Sequence, residues 1–357
     1  GGKEAKIKRT LFIGITGGII GLIAIMLVYF GNPVNMGICI ACFLRDTAGG
    51  LGFHRAEVVQ YIRPEIIGLV LGALIMSIIG KEFAPRGGSS PAIRFVLAVC
   101  VMVGALVFLG CPLRMMLRIG GGDLNAVVGL AGFVAGIGIG IVCLNKGFSL
   151  NRTYRLSQCE GAIYPAINIG LLILVCMAPP FIFFSAEGPG SMRAPIAIAF
   201  VAGLIAGALA QKARFCTVAG IRDTILFRDS TMLAGFIGVI AVAVIGNLIM
   251  GNFSLGFEGQ PIAHSDGLWN FMGMVVVGFG SVLLGGCPLR QVILSGEGNT
   301  DSVITVFGFV VGAAICHNFG LASSAEGTSE YGPAAVIISL IIVASIAVLN
   351  IKKSSKA

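Results

Sequence analysis

A chain of 357 residues that is 56% hydrophobic, only 11% charged and has a mean hydropathy of +0.97 does not describe a water-soluble globular fold. Its 53 glycines suit helices that pack closely through small side chains or are interrupted by irregular backbone. The net charge of +8 asks for no nucleic acid, because lysine and arginine gather in the cytoplasmic loops of membrane proteins.

Measured against the roughly 20 apolar residues that cross a bilayer, spans are predicted at 10–30, 65–80, 93–110, 124–145 and 161–185. A second series follows at 194–211, 231–250, 268–286, 301–320 and 333–351. Gly1 and Gly2 are set aside, and no cleavable signal peptide is evident. Between the spans lie four segments too short to cross, at 36–48, 111–119, 214–226 and 287–295, which read as half-helices. Irregular backbone at membrane depth is tolerated only where protein buries it or where it lines a cavity, so matched interruptions point to a substrate path at the repeat interface.

The two series are copies of one another. Gly110 to Arg114 reads Gly-Cys-Pro-Leu-Arg and returns as Gly286 to Arg290. Cys39, Arg45, Asp46 and Thr47 return with the same spacing as Cys216, Arg222, Asp223 and Thr224. Gly104, Gly120, Gly132 and Gly136 reappear in register as Gly280, Gly296, Gly308 and Gly312. The chain therefore divides into repeats at 1–185 and 186–357. An odd number of spans per repeat puts the copies in opposite orientations, so the expected fold is an all-α integral membrane protein built as an inverted repeat.

With Lys3, Lys6, Lys8 and Arg9 in the cytoplasm, the C-terminal Lys352, Lys353 and Lys356 fall there too. The cytoplasmic segments then hold 18 of the 24 lysines and arginines. Arg45, Arg55, Arg63, Arg114, Arg118 and Arg193 remain outside, and three of these lie in or beside the repeated motifs. The expected location is the cell inner (plasma) membrane, with both termini cytoplasmic.

Within the five-residue motif, Gly110 ends a span, Cys111 is expected at the N-cap and Pro112 in the first turn, where its missing N–H costs nothing. A half-helix beginning there aims free N–H groups and the positive end of its dipole at the space beside Cys111, which is an anion site. Cys287, Pro288 and Arg290 repeat the arrangement from the other side, and the two copies are expected to face each other across the midplane. The candidate pathway residues are Cys39, Cys111, Cys216, Cys287, Arg114 and Arg290. Arg45 with Asp46, and Arg222 with Asp223, read either as structural ion pairs or as substrate attractors.

Other features have plainer readings. Cys100, Cys143, Cys159, Cys176 and Cys316 read as small packing residues. Cys39 and Cys42 spell C-x-x-C, a redox pattern, but Ala219 stands where the repeat would place the second thiol. His317 sits in an apolar span opposite Ile141 and reads as a neutral histidine bonded to a carbonyl. Gly120, Gly121, Gly122 and Asp123 read as a turn after the half-helix. No spacing for a metal site, a catalytic triad or a dinucleotide is present, so neither a cofactor nor a catalytic residue is expected.

The duplicated Cys-x5-Arg-Asp and Gly-Cys-Pro-Leu-Arg motifs resemble those of the YeeE/YedE membrane proteins, which include thiosulfate importers; the twin five-residue copies look most like the branch associated with selenium metabolism. The resemblance covers roughly residues 10–350. It implies a cysteine relay for the anion, roles that fall by motif on Cys39, Cys111 and Cys287, with Cys216 as a fourth candidate. Polarizable sulfur suits large soft anions better than strongly hydrated ones. The expected partners are therefore a small sulfur or selenium anion, the lipid bilayer and a cytoplasmic sulfur or selenium carrier protein. A membrane-embedded thiol-redox protein using Cys39 and Cys42, and a passive anion channel, stand as alternatives.

Overall fold

The computed structural model describes residues 2–351, so Lys352, Lys353 and Lys356 lie outside the described residues. The protein is all-α apart from a two-stranded antiparallel ribbon, β1 (Arg86–Gly87) with β2 (Tyr154–Arg155). Among the described residues, ten helical stretches are long and apolar enough to cross a membrane.

In chain order the first half carries α1 (Gly2–Tyr29), α2 (Ile40–Gly50), α3 (Pro64–Ile79), α4 (Pro91–Phe108), α5 (Pro112–Gly120), α6 (Leu124–Asn145) and α7 (Gln158–Met177). The second half follows the same order with α8 (Ile196–Ala213), α9 (Thr217–Phe227), α10 (Leu233–Met250), α11 (Gly267–Leu284), α12 (Pro288–Gly296), α13 (Thr300–Asn318) and α14 (Gly332–Leu349). The helix bounds depart from expectation at two places. α1 extends back to Gly2, its charged first turns held by a Glu4–Lys8 pair at 2.8 Å. α7 stops at Met177 because Ala178 turns left-handed ahead of Pro179 and Pro180. The four expected half-helices are α2, α5, α9 and α12, of 11, 9, 11 and 9 residues. At about 1.5 Å per residue they reach only about half of a ~30 Å hydrocarbon layer.

The two halves are interwoven. α1 packs along α10 and α3 along α8, while α6 packs along α11 and α13 along α4; in each couple, one pairing is the other with the repeats exchanged. Lipid offers no hydrophobic drive between helices, so such contacts depend on close backbone approach at small residues. The glycines held in register supply it. A Cβ on Gly132 would collide with the Phe271 carbonyl on α11, and one on its copy Gly308 would stand 2.7 Å from the Phe95 carbonyl on α4. Phe95 and Phe271 are themselves repeat equivalents.

Contacts between loops collect at two ends. At one end Gly121 meets Ser254, Arg63 meets Pro189, and Asp266 meets Thr328. At the other Ala84 meets Glu297, Ser89 meets Asp301, and Lys6 meets Asp229. α2 and α5 adjoin the first group, α9 and α12 the second.

Bulk at a helix crossing should therefore be costly. Gly132→Val should lower the stability of the purified protein by about 1–3 kcal/mol or more. Gly138→Val, where an added Cβ meets nothing within 4 Å, should be neutral. Thermal unfolding in detergent checks both, and equal losses would refute the packing assignment.

Candidate functional site

Each Gly-Cys-Pro-Leu-Arg motif folds as its residues dictate. Cys111 occupies the N-cap of α5 in extended conformation with Pro112 at the first position, and Cys287 and Pro288 do the same for α12. The glycine makes room for the arginine at the end of the motif: a Cβ on Gly110 would lie 2.9 Å from Arg114 Cδ, and one on Gly286 3.0 Å from Arg290 Cγ. Gly120–Asp123 forms the expected turn, and Asp123 then caps α6 by accepting from the Asn125 N–H at 2.9 Å.

Cys39 caps α2, its sulfur accepting from the Cys42 N–H at 3.3 Å. The Ile40 N–H of the same helix donates to Cys111 Sγ at 3.3 Å. The N-termini of α2 and α5 thus converge, with the Cys39 thiol in reach of those of both Cys111 and Cys42. In the second half Cys216 caps α9 and its thiol lies against that of Cys287, with Thr217 beside them. The Thr217 hydroxyl is buried and has no hydrogen-bond partner. The structure therefore brings the four cysteines together two by two. Each motif cysteine finds its neighbour inside its own repeat, Cys39 for Cys111 and Cys216 for Cys287. The sequence suggests that the two motif copies face each other across the midplane; the thiol contacts described here lie within each repeat.

The arginines differ between the copies. Arg114 is fully buried and donates to four backbone carbonyls: Asn35 at 3.3 Å, Leu109, Pro261 at 3.3 Å and Ile262 at 3.1 Å. Its Nη1 lies 3.9 Å from Cys42 Sγ. No carboxylate pairs with it among the described residues, so it leaves a positive charge beside the first thiol cluster. Arg290 is instead paired with Glu297 at 3.2 Å. Gly121 occupies the position equivalent to Glu297, which is why the first copy has no such partner.

Arg45 and Asp46 form a buried pair at 2.8 Å, and Arg63 joins Asp46 from the other side at 2.7 Å. Arg63 also lies over Phe43 at 4.6 Å. Arg222 and Asp223 pair at 2.8 Å but are about a quarter exposed. Sequence reading placed Arg63 outside the membrane without a task; it has no repeat equivalent, so duplication could not reveal it. The Arg118–Asp123 pair at 2.7 Å, with Arg118 over Phe108 at 4.3 Å, was likewise not anticipated. The Arg-x4-Asp spacing across the glycine turn was its available signal.

Three expectations need correction. His317 is not bonded to a carbonyl: its ring stacks on His54 at 4.8 Å and its Nε2 has no partner. His54 holds the nearby Arg45 carbonyl itself, at 2.9 Å. Cys159 and Cys176 are exposed on α7 rather than packed inside. Cys42, set apart by Ala219, lies within the first thiol cluster, because the third residue after an N-cap turns back over it.

Fold and site together define a multi-pass α-helical membrane protein with buried cysteines at the ends of its short helices. Residues 212–353 match the family profile described as "Sulphur transport". The chain is also 28% identical over 123 residues to the thiosulfate transporter TsuA of Escherichia coli (strain K12). That match covers 32% of this chain and 33% of TsuA, so the chain spans about a third of the length of the curated relative it matches. Both matches are to proteins described by sulfur or thiosulfate transport.

Burial separates the two Arg-Asp copies energetically. Asp46→Asn leaves two buried guanidinium groups short of their counter-ion and should destabilise by about 3–5 kcal/mol. Asp223→Asn, at a partly exposed pair, should cost about 0–1 kcal/mol. Thermal melts of the two variants in one detergent check the ranking, and the reverse order would contradict it.

Proposed function

We propose that the protein imports a small sulfur-containing anion, thiosulfate or a reduced selenium analogue, along a path through its two cysteine sites. The observation that carries this reading is the convergence of two short-helix N-termini on a pair of thiols in each half, with a motif arginine directly behind. Helix N-termini supply N–H donors and a positive dipole end, thiols supply polarizable contact, and Arg114 supplies an uncompensated charge. A desolvated anion requires all three. One helix terminus contributes only about 0.3–1 kcal/mol near a surface and up to about 2 kcal/mol when partly buried.

The family description and the name of the relative support sulfur-anion transport. The selenium branch rests on the twin motifs alone. In this reading Cys39, Cys111, Cys216 and Cys287 are pathway residues and the first and second repeats, 1–185 and 186–357, run in opposite directions through the inner membrane. Both termini are cytoplasmic. The first thiol cluster is the outward-side site, and a cytoplasmic carrier protein that accepts sulfur or selenium would meet the second.

Uptake of labelled thiosulfate into reconstituted vesicles tests the pathway. Cys111→Ala and Cys287→Ala should each reduce it by about tenfold or more, the ~1.4 kcal/mol of a hydrogen bond to a charged group. Cys42→Ser should change it little, since the second repeat has alanine at that position. Cys111→Ser and Cys287→Ser keep a donor but lose the soft contact, so they should lose discrimination against excess sulfate more than they lose uptake. Unchanged selectivity in both serine variants would make these cysteines packing residues.

Sidedness is tested separately by single-cysteine labelling in intact cells. Positions Leu255 and Ala325 should react from outside, and Tyr154 and Ser230 only after permeabilisation. The opposite pattern would overturn the topology.

A further inference from the structure

Five carboxylates are buried among the described residues: Asp46, Glu65, Asp123, Glu297 and Asp301. Four have an arginine within 4.0 Å, namely Arg45 and Arg63, Arg118, Arg290 and Arg94. Glu65 has none. It stands in the first turn of α3, 1% exposed. One carboxylate oxygen accepts from Asn32 Nδ2 at 2.7 Å, and the other is buried with no partner. An unpaired ionised oxygen in such a place is costly, whereas the protonated acid carries no charge to bury.

The charged and titratable groups around it are accounted for. Arg63 is committed to Asp46 and to the Met192 and Pro189 carbonyls. Tyr61 neighbours Glu65, with Arg193 over its ring at 4.7 Å and Cys176 of α7 also near it. Gly203 of α8 packs on the Glu65 backbone, and on α12, which also packs on α3, Arg290 and Glu297 are paired with one another.

Asn32 connects this acid to the transport site. Its amide N–H groups reach both Glu65 and the Gly37 carbonyl at 2.9 Å, and its oxygen accepts from the Ala194 N–H at 2.8 Å. Gly37 lies two residues before Cys39, the cap of α2. A change of charge on Glu65 therefore acts through one side chain on the backbone that sets the first thiol cluster, and on the segment leading into the second half.

We propose that Glu65 is a proton-binding residue that couples anion uptake to the proton gradient. The inference rests on the reading of this chain as an anion importer. Bringing an anion into a cell whose interior is negative opposes the membrane potential, and each co-transported proton offsets one unit of that charge. Protonation from the outer side neutralises Glu65 while the anion occupies the first cluster; release of the proton inside restores the charge as the anion leaves.

The test uses the whole chain in vesicles with labelled thiosulfate. Wild-type protein should exchange thiosulfate without a gradient and accumulate it when the outside is made acid, and a protonophore should abolish the accumulation. Glu65→Gln should retain exchange, lose acid-driven accumulation and lose the pH dependence of exchange; Glu65→Asp should regain coupling. In weakly buffered suspension, thiosulfate added to wild-type vesicles should make the medium more alkaline as uptake proceeds. Accumulation by Glu65→Gln under the pH gradient would overturn the proposal. So would wild-type uptake without alkalinisation, whatever the stability of the variants. A wild-type protein that shows no exchange at all would overturn the transport reading itself.

Discussion

Inside a bilayer every backbone N–H and C=O must be satisfied by protein, and this protein places eight helix ends of its short helices, α2, α5, α9 and α12, within one bundle. The rest of the structure answers that constraint. Cys39 takes one orphan donor of α2 and Cys111 takes another, so the cysteines close the helices as well as lining the site. Arg114 and Arg118 use carbonyls of the broken backbone at Leu109, Phe108 and the 261–262 segment as acceptors. The groups that make the interior tolerable are the same groups to which the proposed transport reading assigns the anion.

Holding these ends in place requires the long helices to approach closely, and the duplicated glycines explain how. Gly132 and Gly136 seat α6 on α11, as Gly308 and Gly312 seat α13 on α4. Because each pairing joins one half to the other, neither half completes its own core, and both are needed to bury α2 and α5. Cavity formation or overpacking at one crossing should propagate to the site through these shared backbones.

Much of this was legible in the sequence because hydropathy, helix breaking and repeat register act locally. Ten spans, four short helices and the N-cap role of Cys111 follow from residues read in order. What was not legible depends on which helix ends meet. Nothing in the spacing of Cys39 and Cys111 says that their helices converge, and repeat logic argued against Cys42, which shares that cluster. Arg63 and Glu65 stand where the α2–α3 connection meets α3, and Asn32 lies in the α1–α2 connection; both connections are longer than their second-half counterparts, Phe227 to Leu233 and Ala213 to Thr217, so comparing the copies could not single these residues out. A lone acid immediately after proline at the head of an apolar span was the available signal for Glu65. His317 was misread because its neighbour, His54, comes from a loop distant in sequence.

Duplication produced two sites of similar chemistry, and later differences made them unequal. The first keeps Arg114 without a counter-charge and is fully enclosed; the second has Arg290 offset by Glu297 and sits beside a half-exposed α9. In the proposed transport reading, unequal sites bias where the anion rests, since the site with the unmatched charge holds it longer. They cannot by themselves move it against a gradient, because a static difference in affinity is the same for import and export. Import against a gradient would therefore need a group whose state differs between the two sides of the membrane. Among the five buried acids, the one without an arginine is the group whose charge is least fixed by the fold.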